Sequence, residues 1–403
     1  MPAIVLVLLL LAASPLPGAP QNQPDERLAA SFLAFYNLDY DTAIAGFEAA
    51  AAADPGSAEL QNHVAQGLLY RELYRNGSLE TQLVSGNNSF LRRAKVEPQP
   101  DVEKKFFTAI DRSLAISRAK LARNSKDTAA MHASGVAHGL RGNYNFLVRK
   151  AWKDALSDAT EARKIDARVL ELDPSFIDAK MIPGLHDYIV GSLSWTYRTL
   201  GFLAGFHGDR ARGLKTIEEV YHSGRTNRVD AQILLCVLYR REGHPKLALP
   251  LLEDLIRLYP QNYLFRFEQA QMYSLLGERT KAIGVMDELT QRQQSGVPGF
   301  DRVPWEKIWF QKGTFLFWFN DLDRSLENLK KVTATPRQVK ELDLNTGVLA
   351  YMRQGQIYDL KNQHELAVKQ YELAINFAPE AEAARESRHY ISTPYDRNSK
   401  WRP

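Results

Sequence analysis

Beyond Asp25 the apolar residues recur three and four positions apart, as on one face of a helix, and nowhere alternate with polar ones over the length of a strand. Clusters of Gly, Pro and Asp punctuate these stretches, so the pattern predicts helix after helix. A longer order lies over it. An alanine is followed by a large apolar residue four positions on, a small or apolar one three later, and a proline five later. It reads Ala43, Phe47, Ala50, Pro55, and again Ala367, Tyr371, Ala374, Pro379, the second copy preceded by Tyr351, Gly355 and Tyr358. Leu235, Tyr239, Ala248, Leu252, Leu255 and Pro260 form another unit, and Ala270, Tyr273, Ala282, Met286 and Leu289 the next. Ala248 and Ala282 are 34 residues apart. The unit Trp309, Gly313, Leu316, Ser325, Leu329, Val332 comes later than that spacing, which places insertions at Gln294–Pro304 and Ala334–Val339. Upstream, Ala162 to Pro174 ends one hairpin, Pro183-Gly184 sits in the next, and Gly201, Gly213, Ile217 and Val220 make a degenerate unit.

Small residues at the alanine and glycine positions let two helices of a hairpin approach closely, large ones fill the space between hairpins, and proline stops the second helix. This arrangement resembles the tetratricopeptide repeat, a 34-residue helix hairpin. The resemblance implies an all-α chain, a right-handed superhelical solenoid whose stacked hairpins share one core and present a concave groove. A second, local similarity covers about 40 residues ending at Leu214. Gly205-Phe206-His207-Gly208-Asp209-Arg210, followed by Gly213-Leu214, is similar to a motif of a eukaryotic tetratricopeptide-like family that includes fungal inclusion-body clearance proteins of the mitochondrial outer membrane. It implies helical repeats without catalysis. Asp209 stands where it would cap a helix starting near Arg210.

The boundaries that follow are an N-terminal hydrophobic segment 1–20, a linker 21–25, hairpins over 26–75, a long loop 76–100, a repeat array over 101–390 and a tail 391–403. Ala3–Ala13 is an unbroken apolar run with a small-residue exit through Ala19, which has the form of a signal peptide. It is too short to span a bilayer, which takes roughly 20 apolar residues. Its n-region is atypical, with no Lys or Arg before the run, and a cut beside Ala19 would leave Pro20 at the junction. The expectation is export to a periplasmic or extracellular location.

Composition adds exclusions. Across 403 residues, 51 Lys and Arg against 47 Asp and Glu leave a net charge of +4 with no basic block, which speaks against nucleic acid. The single cysteine, Cys236, rules out an internal disulfide and any cysteine-built metal site. There is no HExxH, GxSxG or GxxxxGK[ST]; His132 and His138 lack ligand spacing, and the apolar stretch Ile182–Phe206 is interrupted by His186, Asp187 and Arg198, as buried repeat helices would be. No catalytic residue, cofactor or metal is expected. What the repeat resemblance implies is a groove lined by first helices: Leu28 and Phe32, Ile233 and Val237, Phe267 and Gln271, Phe310 and Thr314, Met352 and Gln356. The Lys and Asn that clamp a peptide carboxylate in chaperone-binding members are absent there. With Phe317, and with Arg240 and Lys307 as flanking cations, these positions make a candidate apolar strip for an amphipathic helix or an extended apolar segment. The expected function is a non-enzymatic scaffold for a protein or peptide, working outside the cytoplasm or at a membrane surface. The alternative is an accessory subunit or enzyme with a small-molecule site between hairpins.

Overall fold

The computed structural model describes residues 26–75, 98–193, 207–334 and 343–398, together with Gly77 and Leu79. The N-terminal hydrophobic segment expected to direct export, the linker, nearly all of the loop 76–100, Gly201, Gly205 and Phe206 lie outside the described residues. Among those described there are seventeen α-helices, one 3-10 turn and no strand. They form two compact units that divide between Tyr259 and Pro260.

The first unit carries α1 (Glu26–Tyr36), α2 (Tyr40–Ala53), α3 (Ala58–Arg75), α4 (Pro100–Arg123), α5 (Thr128–Leu147), α6 (Trp152–Leu172), a 3-10 turn (Ile177–Lys180), α7 (Met181–Gly191), α8 (Arg210–Ser223), α9 (Arg228–Arg241) and α10 (Pro245–Leu258). The second carries α11 (Tyr263–Leu275), α12 (Arg279–Gln294), α13 (Trp305–Trp318), α14 (Leu322–Ala334), α15 (Asp343–Leu360), α16 (His364–Phe377) and α17 (Glu382–Ser392). Each helix packs most on its neighbour in sequence, as in α1 with α2, α5 with α6, α7 with α8, α13 with α14 and α15 with α16.

The repeat positions become the interior. Ala43, Phe47, Ala248, Leu255, Ala282, Met286, Ser325, Leu329, Ala367, Tyr371 and Ala374 are all fully buried. Helices α2, α6, α10 and α16 end at Ala53, Leu172, Leu258 and Phe377, each two residues before a proline, because the residue before proline is pushed out of the helical region. Asp39, Asp127 and Asp209 cap α2, α5 and α8 by accepting from Thr42, Ala130 and Arg212 N–H. The insertion at Gln294–Pro304 lies between α12 and α13 and buries Phe300 and Val303.

The turn inside five of the hairpins repeats one geometry. Leu38, Gly243, Gly277, Asn320 and Asn362 have φ between 57° and 74°. The next residue's N–H then bonds five positions back: Asp39 to Ala34 O, His244 to Tyr239 O, Glu278 to Tyr273 O, Asp321 to Leu316 O, Gln363 to Tyr358 O. That left-handed cap satisfies carbonyls that the first helix leaves open.

Within the first unit the two ends of the array meet. The Tyr36 hydroxyl, at the end of α1, donates to Asp230 Oδ1 on α9 at 3.0 Å, and the Tyr36 ring lies 4.9 Å from that of Tyr259. The space enclosed by this unit is therefore limited, which determines what it can hold. No described helix is long and apolar enough to cross a membrane.

Candidate functional site

On α3, Glu59, Asn62, His63 and Gln66 follow the spacing that puts them on one helical face. Ala129, His132, Ala133 and Val136 do the same on α5. The two faces, with Asp173–Asp178 after α6 and Ser223–Thr226 after α8, wall a cavity of about 320 Å³ in the first unit. Small side chains at Ala129 and Ala133 leave the room.

Its polar groups are held firmly and used incompletely. Asn62 Nδ2 donates to the Ala133 carbonyl at 2.8 Å, while its Oδ1 is buried without a partner, as is Gln66 Nε2. Such atoms carry a desolvation cost of about 1–3 kcal/mol each unless something meets them. His132 Nδ1 pairs with Asp166 Oδ1 at 2.9 Å, and its Nε2 is a third unmatched atom. Burial pulls the His132 pKa down, but the charge and hydrogen bond of Asp166 outweigh it and leave the imidazole above its ordinary value. Gly135 permits that pairing, since a Cβ there would lie 2.9 Å from Asp166 Oδ1. His63, wedged against Phe32 at 4.9 Å, has its pKa lowered by burial, only partly opposed by Glu59. The Asp178 carboxylate accepts from the N–H groups of Arg225, Thr226 and Asn227 at 3.1, 3.1 and 2.9 Å, which fixes the loop beneath the cavity.

A separate network lies further along α5 and α6. Asp158 accepts from Arg141 Nη2 at 2.7 Å and pairs with His138 Nδ1 at 2.9 Å; burial raises its pKa, yet His138 and Arg141 together bring it below the usual carboxylate range. Among the described residues no group of three or more His, Cys, Asp or Glu could hold a metal. Cys236 is buried, with Sγ directed at the Ala248 carbonyl.

The strip expected from the repeat register is distributed differently. Leu28, Phe32, Ile233, Val237 and Arg240 belong to the first unit; the other positions belong to the second. Phe267 and Phe310 are half-buried, Phe267 against Tyr263 at 6.0 Å. Lys307 and Thr314 are half-buried, and Gln271 Oε1 accepts from Gln311 at 3.0 Å. Phe317, Met352 and Gln356 are buried, so they do not belong to an open strip. Met352 sits in the cluster of Val348, Ala367 and Tyr371, between the helices of its own hairpin. Phe317 is covered by Arg353 and by Arg397 of the C-terminal tail. In the first unit Phe32 and Val237 are buried too.

Of the cavity residues the sequence singles out only His132, and that only for its lack of ligand spacing, because polar side chains on one helical face resemble a solvated face. The usable signal was their occurrence on a first helix, where the repeat register turns that face inward.

Residues 348–380 match the family model of the tetratricopeptide repeat, covering one hairpin of the second unit. No curated protein matches the sequence. Among solved structures, the Cut9–Hcn1 hetero-tetramer of the APC/C is similar at 13% identity and a TM-score of 0.50, over 92% of this chain and 56% of that one. The chain thus spans little more than half the length of that neighbour. A tetratricopeptide repeat protein from Parabacteroides merdae aligns at 11% identity over 91% of this chain and 98% of its own, with a TM-score of 0.33. Yeast Tom70 aligns at 13% over 90% and 87%, with a TM-score of 0.36. At these identities the similarity is one of fold: an all-α solenoid of stacked hairpins, one of them a recognisable tetratricopeptide repeat.

Proposed function

We propose that the protein is an exported, non-enzymatic binding scaffold that takes a peptide segment into the cavity of its first unit. One observation carries the reading: the unmatched Asn62 Oδ1, Gln66 Nε2 and His132 Nε2 on the wall of a single cavity. An acceptor and a donor on fixed amides complement the N–H and C=O of an extended peptide. The size narrows this further. A helix about 10–12 Å across does not enter a cavity of about 320 Å³, whereas a chain end or an extended loop does. The Cut9–Hcn1 neighbour is itself part of a protein assembly, in keeping with this class of work. Export rests on Ala3–Ala13, and N-terminal sequencing of the native protein should find a start near Pro20 or Gln21; an intact Met1 would refute it.

The test of the site is affinity selection from a random pentapeptide library, followed by titration of the selected peptide. Gln66→Leu should weaken it at least about tenfold while the protein stays folded, at a stability cost of about 1–3 kcal/mol because His63 loses its side-chain hydrogen bond to Gln66. Equal affinity for both proteins, or no selected peptide at all, overturns the assignment. The cavity volume also favours a second reading, a small polar molecule, since sites of that kind begin near 300 Å³. It predicts that small polar solutes raise the melting temperature where pentapeptides do not.

A further inference from the structure

The described chain ends by folding back on its own second unit. After α17 stops at Ser392, residues 393–398 run over the ends of α15 and α13. The Tyr395 N–H donates to Asp359 Oδ2 at 2.8 Å. Its ring lies 5.4 Å from Tyr390 and 6.1 Å from Phe317. Arg397 Nη2 donates to the Phe317 carbonyl at 2.6 Å, and its guanidinium stands 4.6 Å from the Phe317 ring centre. That carbonyl, which also accepts from the Asn320 N–H at 3.0 Å, belongs to the last turn of α13, where the helix dipole is negative, so a cation is favoured there.

The receiving surface thus has three parts: a carboxylate that accepts a backbone N–H, an aromatic wall, and a helix end with a ring beside it for a guanidinium. Tyr395 and Arg397 are two residues apart, and the chain turns just after them, where the Asn398 N–H donates to Asp396 Oδ1 at 3.0 Å. Thr393, Pro394, Asp396 and Asn398, between and around them, are exposed.

We propose that this face of the second unit is a binding surface for segments of the pattern aromatic–x–Arg that turn after the arginine, and that residues 393–398 are its resident occupant in cis. The arginine end of the occupant is incompletely matched. Arg353 stands 4.3 Å from the same Phe317 ring, so two guanidiniums share it, and Arg397 Nε is buried without a partner. Tethering supplies what the contacts lack, since a short linker gives an effective concentration in the millimolar range. Trp318, 53% exposed and 4.9 Å from the Arg353 guanidinium, extends the surface beyond the tail. This assignment concerns the second unit alone and stands independently of the cavity.

The test uses the full chain and a labelled peptide of residues 393–398. The variant carrying Tyr395→Ala and Arg397→Ala, whose own tail has lost both anchors, should bind the peptide at least about tenfold more tightly than wild type does. A peptide with both anchors replaced by alanine should bind neither protein. Should the double variant lose helicity, Arg397→Ala alone serves the comparison, because the Tyr395 ring then keeps its place against Tyr390 and Phe317. Absence of peptide binding to both variants overturns the proposal, and so does equal binding of the native and alanine peptides.

Discussion

Gly277 and Gly284 make opposite demands of the backbone. Gly277 holds φ +73° in the turn between α11 and α12, with nothing within 4 Å of a Cβ added there. Gly284 lies on the exposed face of α12, in helical backbone and equally open space. Gly277→Ala should therefore destabilise by about 1–2 kcal/mol through left-handed strain alone. Gly284→Ala should stabilise by about 0.5–1 kcal/mol, since alanine is the better helix former. Urea denaturation of the two variants checks the sign of each. His132 offers a second test at this scale. Its folded pKa is raised, so the pair with Asp166 contributes stability in full below about pH 6.5, the unfolded value, and loses it as pH rises through the folded one. In Asp166→Asn that attraction is gone and burial, the largest influence on His132, is opposed only by the charges of Asp178 and Glu59, so the slope should reverse and stability grow as pH rises toward about 6.5. Denaturation midpoints between pH 5.5 and 8.5, taken as roughly the span of one histidine titration, compare the two proteins; parallel curves would refute the assignment.

At the scale of elements, the α7–α8 hairpin is set by its glycines. A Cβ at Gly213 would lie 2.3 Å from Tyr188 N and 2.6 Å from Gly184 O, so the two backbones touch. The obstacle is backbone, which cannot rotate aside as a side chain would. Gly213→Ala should cost at least about 1–3 kcal/mol, the ordinary penalty for overpacking. The same substitution at Gly284 is the control for helix propensity. Calorimetry distinguishes them, and a harmless Gly213→Ala would mean that the helices cross further apart.

At the scale of the molecule, the contacts that enclose the first unit link residues far apart in sequence. The Tyr36 bond to Asp230 joins positions separated by 194 residues, and Asp230 is fully buried. Tyr36→Phe keeps the ring stacked near Tyr259 and removes only the hydroxyl. It should cost about 1–2 kcal/mol and raise hydrogen exchange in α1 and α9 together while α6 stays as in wild type. Acceleration confined to α1 would mean that the bond anchors a helix without joining the ends.

By itself the sequence determined what depends on near neighbours. Alanine and large apolar residues at fixed offsets placed α2, α10, α12 and α16 with their buried faces, proline marked the ends of α2, α10 and α16, and Asp209 announced the start of α8, because periodicity and capping act over a few residues. Turns were legible where the residue favours positive φ, as at Gly243, Gly277, Asn320 and Asn362. Leu38 takes the same conformation without any such signal, held there by burial at 5% exposure among its neighbours. Tertiary structure alone decided which faces meet. Asn62 and His132 converge on one cavity, and Phe317 and Met352 are covered rather than offered to a partner, because the angle between successive hairpins accumulates along each unit and the tail returns over α13. Those relations come from long-range packing, in which a small rotation at every hairpin decides whether a polar face opens to solvent or closes around a space.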